Sequence, residues 1–115
     1  VTVEPRNEVV LVGRLAAAAE GRELPSGDLL TSWRLVVDRP PSRRRPPEGV
    51  RPATVDTLDC VAWLGGVQRS AVAWVPGDLI AVEGALRRRF WRGASGSSSR
   101  YEVEVTKARR VSRAV

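Results

Sequence analysis

The sequence predicts an all-β domain with one short helix, on three observations. Apolar, β-branched segments recur along the chain, broken by connections rich in glycine, proline or serine. Only one stretch, "GGVQRSAVAWVPG" at 65–77, reads as a helix, and Pro76 and Gly77 stop it. The 115 residues suffice for one hydrophobic core and not for two.

The elements follow in order. "EVVLVGRLAAA" (8–18) is β-branched and punctuated by glycine, and reads as the first strand. "LLTSWRLVVD" (29–38) alternates as a second, with "EGRELPSGD" as the connection between them. Residues 39–53 begin "RPPSRRRPPEGVRP", a run with five prolines that fits neither helix nor regular strand and reads as a long basic arm. "TVDTLDCVAW" (54–63) is a third strand and precedes the helix. "DLIAVEGALRRRFW" (78–91) is a long fourth strand with Gly84 as a bend, "ASGSSS" turns the chain, and "RYEVEVTKARRV" (100–111) is a strictly alternating fifth. Five strands with a helix between the third and fourth is the order of the OB-fold, a five-stranded Greek-key barrel. The expected organisation is one such domain over 1–115, with its core at about 7–111.

Composition removes several functional classes. Histidine is absent, Cys60 is the only cysteine, and no glycine-rich phosphate cradle or carboxylate cluster is present. An enzyme, a metal centre and a bound cofactor are therefore not expected. No apolar run is long enough for a membrane span, and "VTVEPRNE" is not a secretory signal, so a cytoplasmic protein is expected.

The net charge of +6 is unevenly placed. Arg39, Arg43, Arg44, Arg45 and Arg51 face the single Glu48 in the arm, and 87–92 hold four arginines with no acid. All but one of the 19 basic residues are arginine, so base composition of the genome contributes to the total; it does not explain the clustering. Two basic segments of this kind mark an anion-binding surface.

Strand parity adds aromatic rings to that surface. On the fourth strand Ile80, Val82 and Leu86 share one face and Arg87, Arg89 and Trp91 the other. On the third, Leu58, Cys60 and Ala62 suit the core, leaving Thr57, Asp59, Val61 and Trp63 outward. Trp33 and Trp74 are assigned to the core, and Cys60 is read as an inert buried thiol. Trp63 has two readings, a closure for the end of the barrel or a stacking platform. Trp63 and Trp91 framed by arginine would stack bases at roughly 1–3 kcal/mol each, whatever the sequence.

"NEVVLVGRL" (7–15), "GDLIAVEGALRRRFW" (77–91) and "RYEVEV" (100–105) resemble the first, fourth and fifth strands of the bacterial single-stranded DNA-binding protein family. The resemblance runs from about Asn7 to Val111, and the Glu-Gly followed by Arg-x-Arg-x-Trp is its most specific part. It implies sequence-independent binding of single-stranded DNA in replication, recombination and repair, by a homo-oligomer, a tetramer or dimer, joined partly through first strands. It also implies stacking at Trp63 and Trp91. The expected DNA-contacting set is these two with Arg87, Arg89, Arg92, Arg34, Arg14, Arg39, Arg43, Arg44 and Arg45. Two family aromatics are missing: Thr57 stands where tryptophan is usual, and none lies just after the second strand. The sequence ends "ARRVSRAV" without the acidic tip that recruits enzymes in family members. RNA as ligand stays open, as does an alternative reading: an OB-fold interaction module of a primosome-like or repair assembly that binds nucleic acid weakly.

Overall fold

The structure, a computed structural model, describes residues 2–115. Six strands and one helix run in the order β1 (Val9–Leu15), β2 (Glu20–Glu23), β3 (Leu29–Asp38), β4 (Val55–Ala62), α1 (Gly65–Val72), β5 (Leu79–Gly93) and β6 (Gly96–Ser112). The sheet order is β1-β5-β6-β4-β3-β2, and β1 also pairs with β3, so five strands close into a ring with β2 on its margin. This is the expected OB-fold arrangement. The one parallel contact, β4 with β6, holds two residue pairs, and the β1–β3 closure holds two more.

The boundaries differ from expectation chiefly at three connections. The first strand ends at Leu15, where the chain bends at Ala16 and Ala17. The connection "EGRE" is itself a strand: β2 pairs with β3 through Glu20↔Ser32 to Glu23↔Leu29, and all four residues are exposed. Polar strands on a sheet margin carry no apolar alternation to betray them. The turn after β5 is only Ala94–Ser95, and Ser97, Ser98 and Ser99 pair with Arg92, Trp91 and Phe90 as part of β6. Gly96 makes that tight reversal at φ +114°, a value opposed by any Cβ.

The core fills the ring with Leu15, Leu35, Cys60, Ile80, Val82, Val103 and Val105 among others. α1 closes one end with Val67 and Ala71. Trp74 follows it and packs edge-to-face on Trp33, centroids 5.2 Å apart, both rings 5% exposed. α1 ends at Val72, earlier than expected, and has no side-chain N-terminal cap; Gln68 ties it to the sheet, its Nε2 donating to the Leu29 and Ala62 carbonyls. Two glycines allow the sheet to coil. A Cβ on Gly84 would run into the Glu104 carbonyl, beside a register shift in the β5–β6 ladder, and one on Gly13 would sit 2.8 Å from the Val36 oxygen at the β1–β3 seam.

The faces follow strand parity, but burial departs from it at two positions. Leu86 was expected in the core with Ile80 and Val82, but it is 44% exposed because β5 has by then left the barrel as one arm of a projecting hairpin. Val61 was expected outside, but it is buried, since β2 and the base of that hairpin wall in the outer face of β4 there.

Asp78 ties the end of the chain to the barrel. Its carboxylate is fully buried, accepts hydrogen bonds from the Val75 and Ala114 amides at 3.0 and 2.7 Å, and pairs with Arg110 at 3.5 Å. The amide bonds and the guanidinium hold its pKa below the ordinary carboxylate range, against the opposing effect of burial. A group whose folded pKa is depressed stabilises the fold fully above its unfolded pKa of about 4 and loses that contribution as pH falls through the folded value. The thermal midpoint should therefore stay level near neutral pH and drop below about pH 4. Asp78→Asn should start from a lower midpoint at neutral pH and show a smaller acid-dependent drop; calorimetry across pH checks both.

Candidate nucleic-acid interface

The β5–β6 hairpin outruns the barrel because both strands continue past the point where the ring closes. On one of its faces stand Arg87, Arg89 and Trp91, opposite Glu102, Arg100 and Ser98 in the ladder. Trp91 is 45% exposed and shares a hollow of about 300 Å³ with Arg22, Arg89 and Arg100. Arg22 comes from β2, so the marginal strand has a purpose: it brings a guanidinium to the hairpin.

From this hollow a trench continues across the face of the ring. Arg100 and Arg22 reappear with Glu20, Ser32 and Val61 in the next section, and Arg100, Ser32, Arg34, Asp59 and Ala16–Ala18 line the last, of about 380 Å³. Val61 is its apolar floor. Cys60 lies against it too, but the thiol is buried and desolvation pushes its pKa up to about 12, so it offers no nucleophile. Among the described residues no three His, Cys, Asp or Glu side chains cluster to hold a metal.

Carboxylates temper the charge. Arg34 pairs with Asp59 at 3.0 Å, Arg87 with Glu104 at 3.2 Å, and the buried Glu102 lies 3.8 Å from Arg89 and 3.6 Å from Arg100. The Arg34–Asp59 and Arg87–Glu104 pairs are exposed, and such pairs contribute about 0–1 kcal/mol. These two guanidiniums can therefore change partners at little cost, whereas those of Arg89 and Arg100 share a buried carboxylate, and Arg87 with Glu104 lines a separate hollow beside β1.

The other expected residues lie elsewhere. Trp63 is 40% exposed at the β4–α1 junction and does not line the Trp91 hollow. Arg14 makes a two-point pair with Asp38, at 3.0 and 3.1 Å, that raises the arginine pKa and lowers that of the carboxylate. Arg39 pairs with Asp56 at 2.6 Å where the arm leaves β3, closed by its own amide donating to the Thr54 carbonyl. Arg43, Arg44 and Arg45 have no carboxylate partner among the described residues, so the arm extends an open basic edge. Arg92 alternates onto the far face of the hairpin. Sequence reasoning missed Arg22 and Arg100. Arg100 was within reach: a two-residue turn at Ala94–Ser95 puts it opposite Arg89.

Residues 6–112 match the sequence profile of the single-strand binding protein family. The chain belongs to that family. Its relatives include the single-stranded DNA-binding protein of Thermotoga maritima, 30% identical over 90 residues, which cover 78% of this chain and 62% of that one. The counterpart from Treponema pallidum is 32% identical over 102 residues, 87% of this chain and 54% of its own. The chain thus matches little more than half the length of these relatives. Among solved structures, the Plasmodium falciparum SSB in complex with ssDNA superposes with a TM-score of 0.71, covering 95% of this chain and 96% of that one at 18% identity, which shows the shared fold.

Arg22 and Arg100 line the trench and Arg14 does not. Arg22→Ala and Arg100→Ala should each flatten the log–log salt dependence of oligo-dT binding by about 0.7, the value for one phosphate on a single strand. Arg14→Ala should leave that slope unchanged, because its pair with Asp38 lies outside the trench. Fluorescence titrations at several salt concentrations measure both.

Proposed function

We propose that this chain binds single-stranded DNA without sequence preference, as a cytoplasmic protein that coats strands exposed in replication, recombination and repair. The observation that carries the reading is Trp91, half open and ringed by Arg22, Arg89 and Arg100 at the mouth of a trench. A ring stacks any base and guanidiniums hold any phosphate, so the site selects for unpaired strands rather than for sequence. Duplex DNA hides its base faces and gains nothing from Trp91. The arm with Arg43, Arg44 and Arg45 adds phosphate contacts beyond the trench, which supports binding where Thr57 offers no ring. We read residues 1–115 as one domain carrying this activity.

Intrinsic fluorescence tests the assignment directly. Trp33 and Trp74 are buried and should ignore ligand, whereas Trp91 should be quenched by stacking. Oligo-dT should thus quench emission in part, and duplex of equal length should not. Trp91→Ala should weaken binding by about 1–3 kcal/mol and remove much of the quench, while shifting stability by only about 0.5 kcal/mol. A variant that folds and binds as well as the parent would sink the stacking role and favour the interaction-module reading.

Self-assembly through β1 belongs to the same proposal. Val9–Gly13 pair with β5 on one side only, since the contact with β3 involves just Arg14 and Leu15. The open edge carries Val10 and Val12, 70% and 48% exposed. Unpaired strand edges invite a second copy. Val10→Glu with Val12→Glu should therefore give a smaller species by light scattering than the parent; a parent that is already monomeric would end this reading.

A further inference from the structure

The β5–β6 hairpin has a second face that the trench does not use. Strand alternation places Leu86, Arg88, Phe90 and Arg92 opposite to Arg87, Arg89 and Trp91. Tyr101 joins them as the ladder partner of Arg88. The Arg88 guanidinium lies 4.8 Å from the Phe90 ring centroid and 5.5 Å from that of Tyr101, and donates to the Ser99 hydroxyl at 3.3 Å. Phe90 is nonetheless 67% exposed and Tyr101 58%. Two rings and a cation are thus assembled in solvent on a hairpin that has no core beneath it.

The charge on this face differs from that on the trench side. Arg87 and Arg89 have carboxylates within ion-pair distance, whereas Arg88 and Arg92 have none among the described residues. From Arg87 to Arg100 the hairpin contains five arginines and no acid, and its tip is alanine, glycine and serine. A guanidinium flanked by aromatic rings keeps its in-plane N–H edge free for a phosphate oxygen and is already ordered when the phosphate arrives. The rings keep open faces on which a base can lie. The mix of unneutralised guanidiniums and flat rings repeats, with different residues, the chemistry around Trp91 one backbone layer away.

We propose that Arg88, Phe90 and Tyr101, with Arg92, form a second contact for single-stranded nucleic acid, on the opposite face of the hairpin from Trp91. A strand leaving the trench would round the Ala94–Ser95 tip, place phosphates on Arg88 and Arg92, and rest bases on Phe90 and Tyr101. The inference rests on the single-strand-binding reading and adds to it a longer path for the strand around each chain. Continuity with the trench and the lack of any acid favour a polyanion with bases over an acidic protein segment, which would leave the ring faces unused.

The test compares Arg88→Ala/Phe90→Ala, Tyr101→Ala and Trp91→Ala against the parent, with a short oligo-dT of about 8 nucleotides and a long one several times that length. The double variant should bind the short strand as the parent does, with the same tryptophan quench. On the long strand it should lose affinity roughly tenfold, a change equal to about 1.4 kcal/mol, and cover fewer nucleotides. Tyr101→Ala should show a smaller loss of the same kind. If the double variant melts early, Arg88→Glu, which keeps both rings, should show the same loss limited to long strands. Unchanged long-strand binding in these variants, with Trp91→Ala still weakened, would overturn the second contact and leave the first intact. Loss of self-association, or competition by poly-glutamate with no length effect, would overturn it in favour of a protein-binding face. A parent that binds neither strand would remove both readings.

Discussion

Everything in this molecule depends on one sheet closing upon itself. A small sheet buries only one face against a partner layer, and this chain has a single eight-residue helix to offer as that layer. Curling the sheet into a ring lets Leu15, Leu35, Ile80 and Val105 pack against one another instead. The curl requires close approaches of backbone to backbone, which is why Gly13 and Gly84 stand where a Cβ would meet the Val36 and Glu104 carbonyls. Closure also leaves two long strands with nowhere to go. Past Gly84 β5 loses β1, and beyond Val103 toward the tip β6 loses β4, so the two strands run on as a hairpin whose side chains are surface.

That transition explains how one alternating pattern carries two kinds of residue. Ile80 and Val82 are fully buried, yet Leu86, Arg88 and Phe90 continue the same face into solvent. On the other face, Arg89 and Trp91 gain company from β2 and β6, and the isolated charges of the sequence become a ringed site. Glu102, buried between Arg89 and Arg100, orients both without reaching either at hydrogen-bond distance.

The strands and helix were legible because their apolar alternation is strong, as in 29–38 and 100–111. β2 was not, because a marginal strand of four exposed residues reads as a connection. Trp91 was legible from an arginine run that no core could absorb, and Trp33 and Trp74 from their apolar neighbours. Arg22 could not be found from local sequence, since its relevance comes from a strand folding back to the hairpin over a long separation. Val61 escaped for the opposite reason: period-two reasoning assumes that the outer face of a strand meets water, and here a trench wall meets it.

The ring is best seen as two smaller sheets, β1-β5-β6 and β2-β3-β4, stitched by two residue pairs at each join. Ladders within each sheet are long, so slow opening should concentrate at the stitches, where the fewest backbone bonds must break for the halves to part. The trench crosses one of them: Val61 belongs to one half and Arg100 to the other. A polymer lying there would grip both halves at once and act as a suture. Occupancy would then be felt as slower amide exchange at Cys60, Val61, Val103 and Glu104, so the barrel itself would be tightened by what it carries.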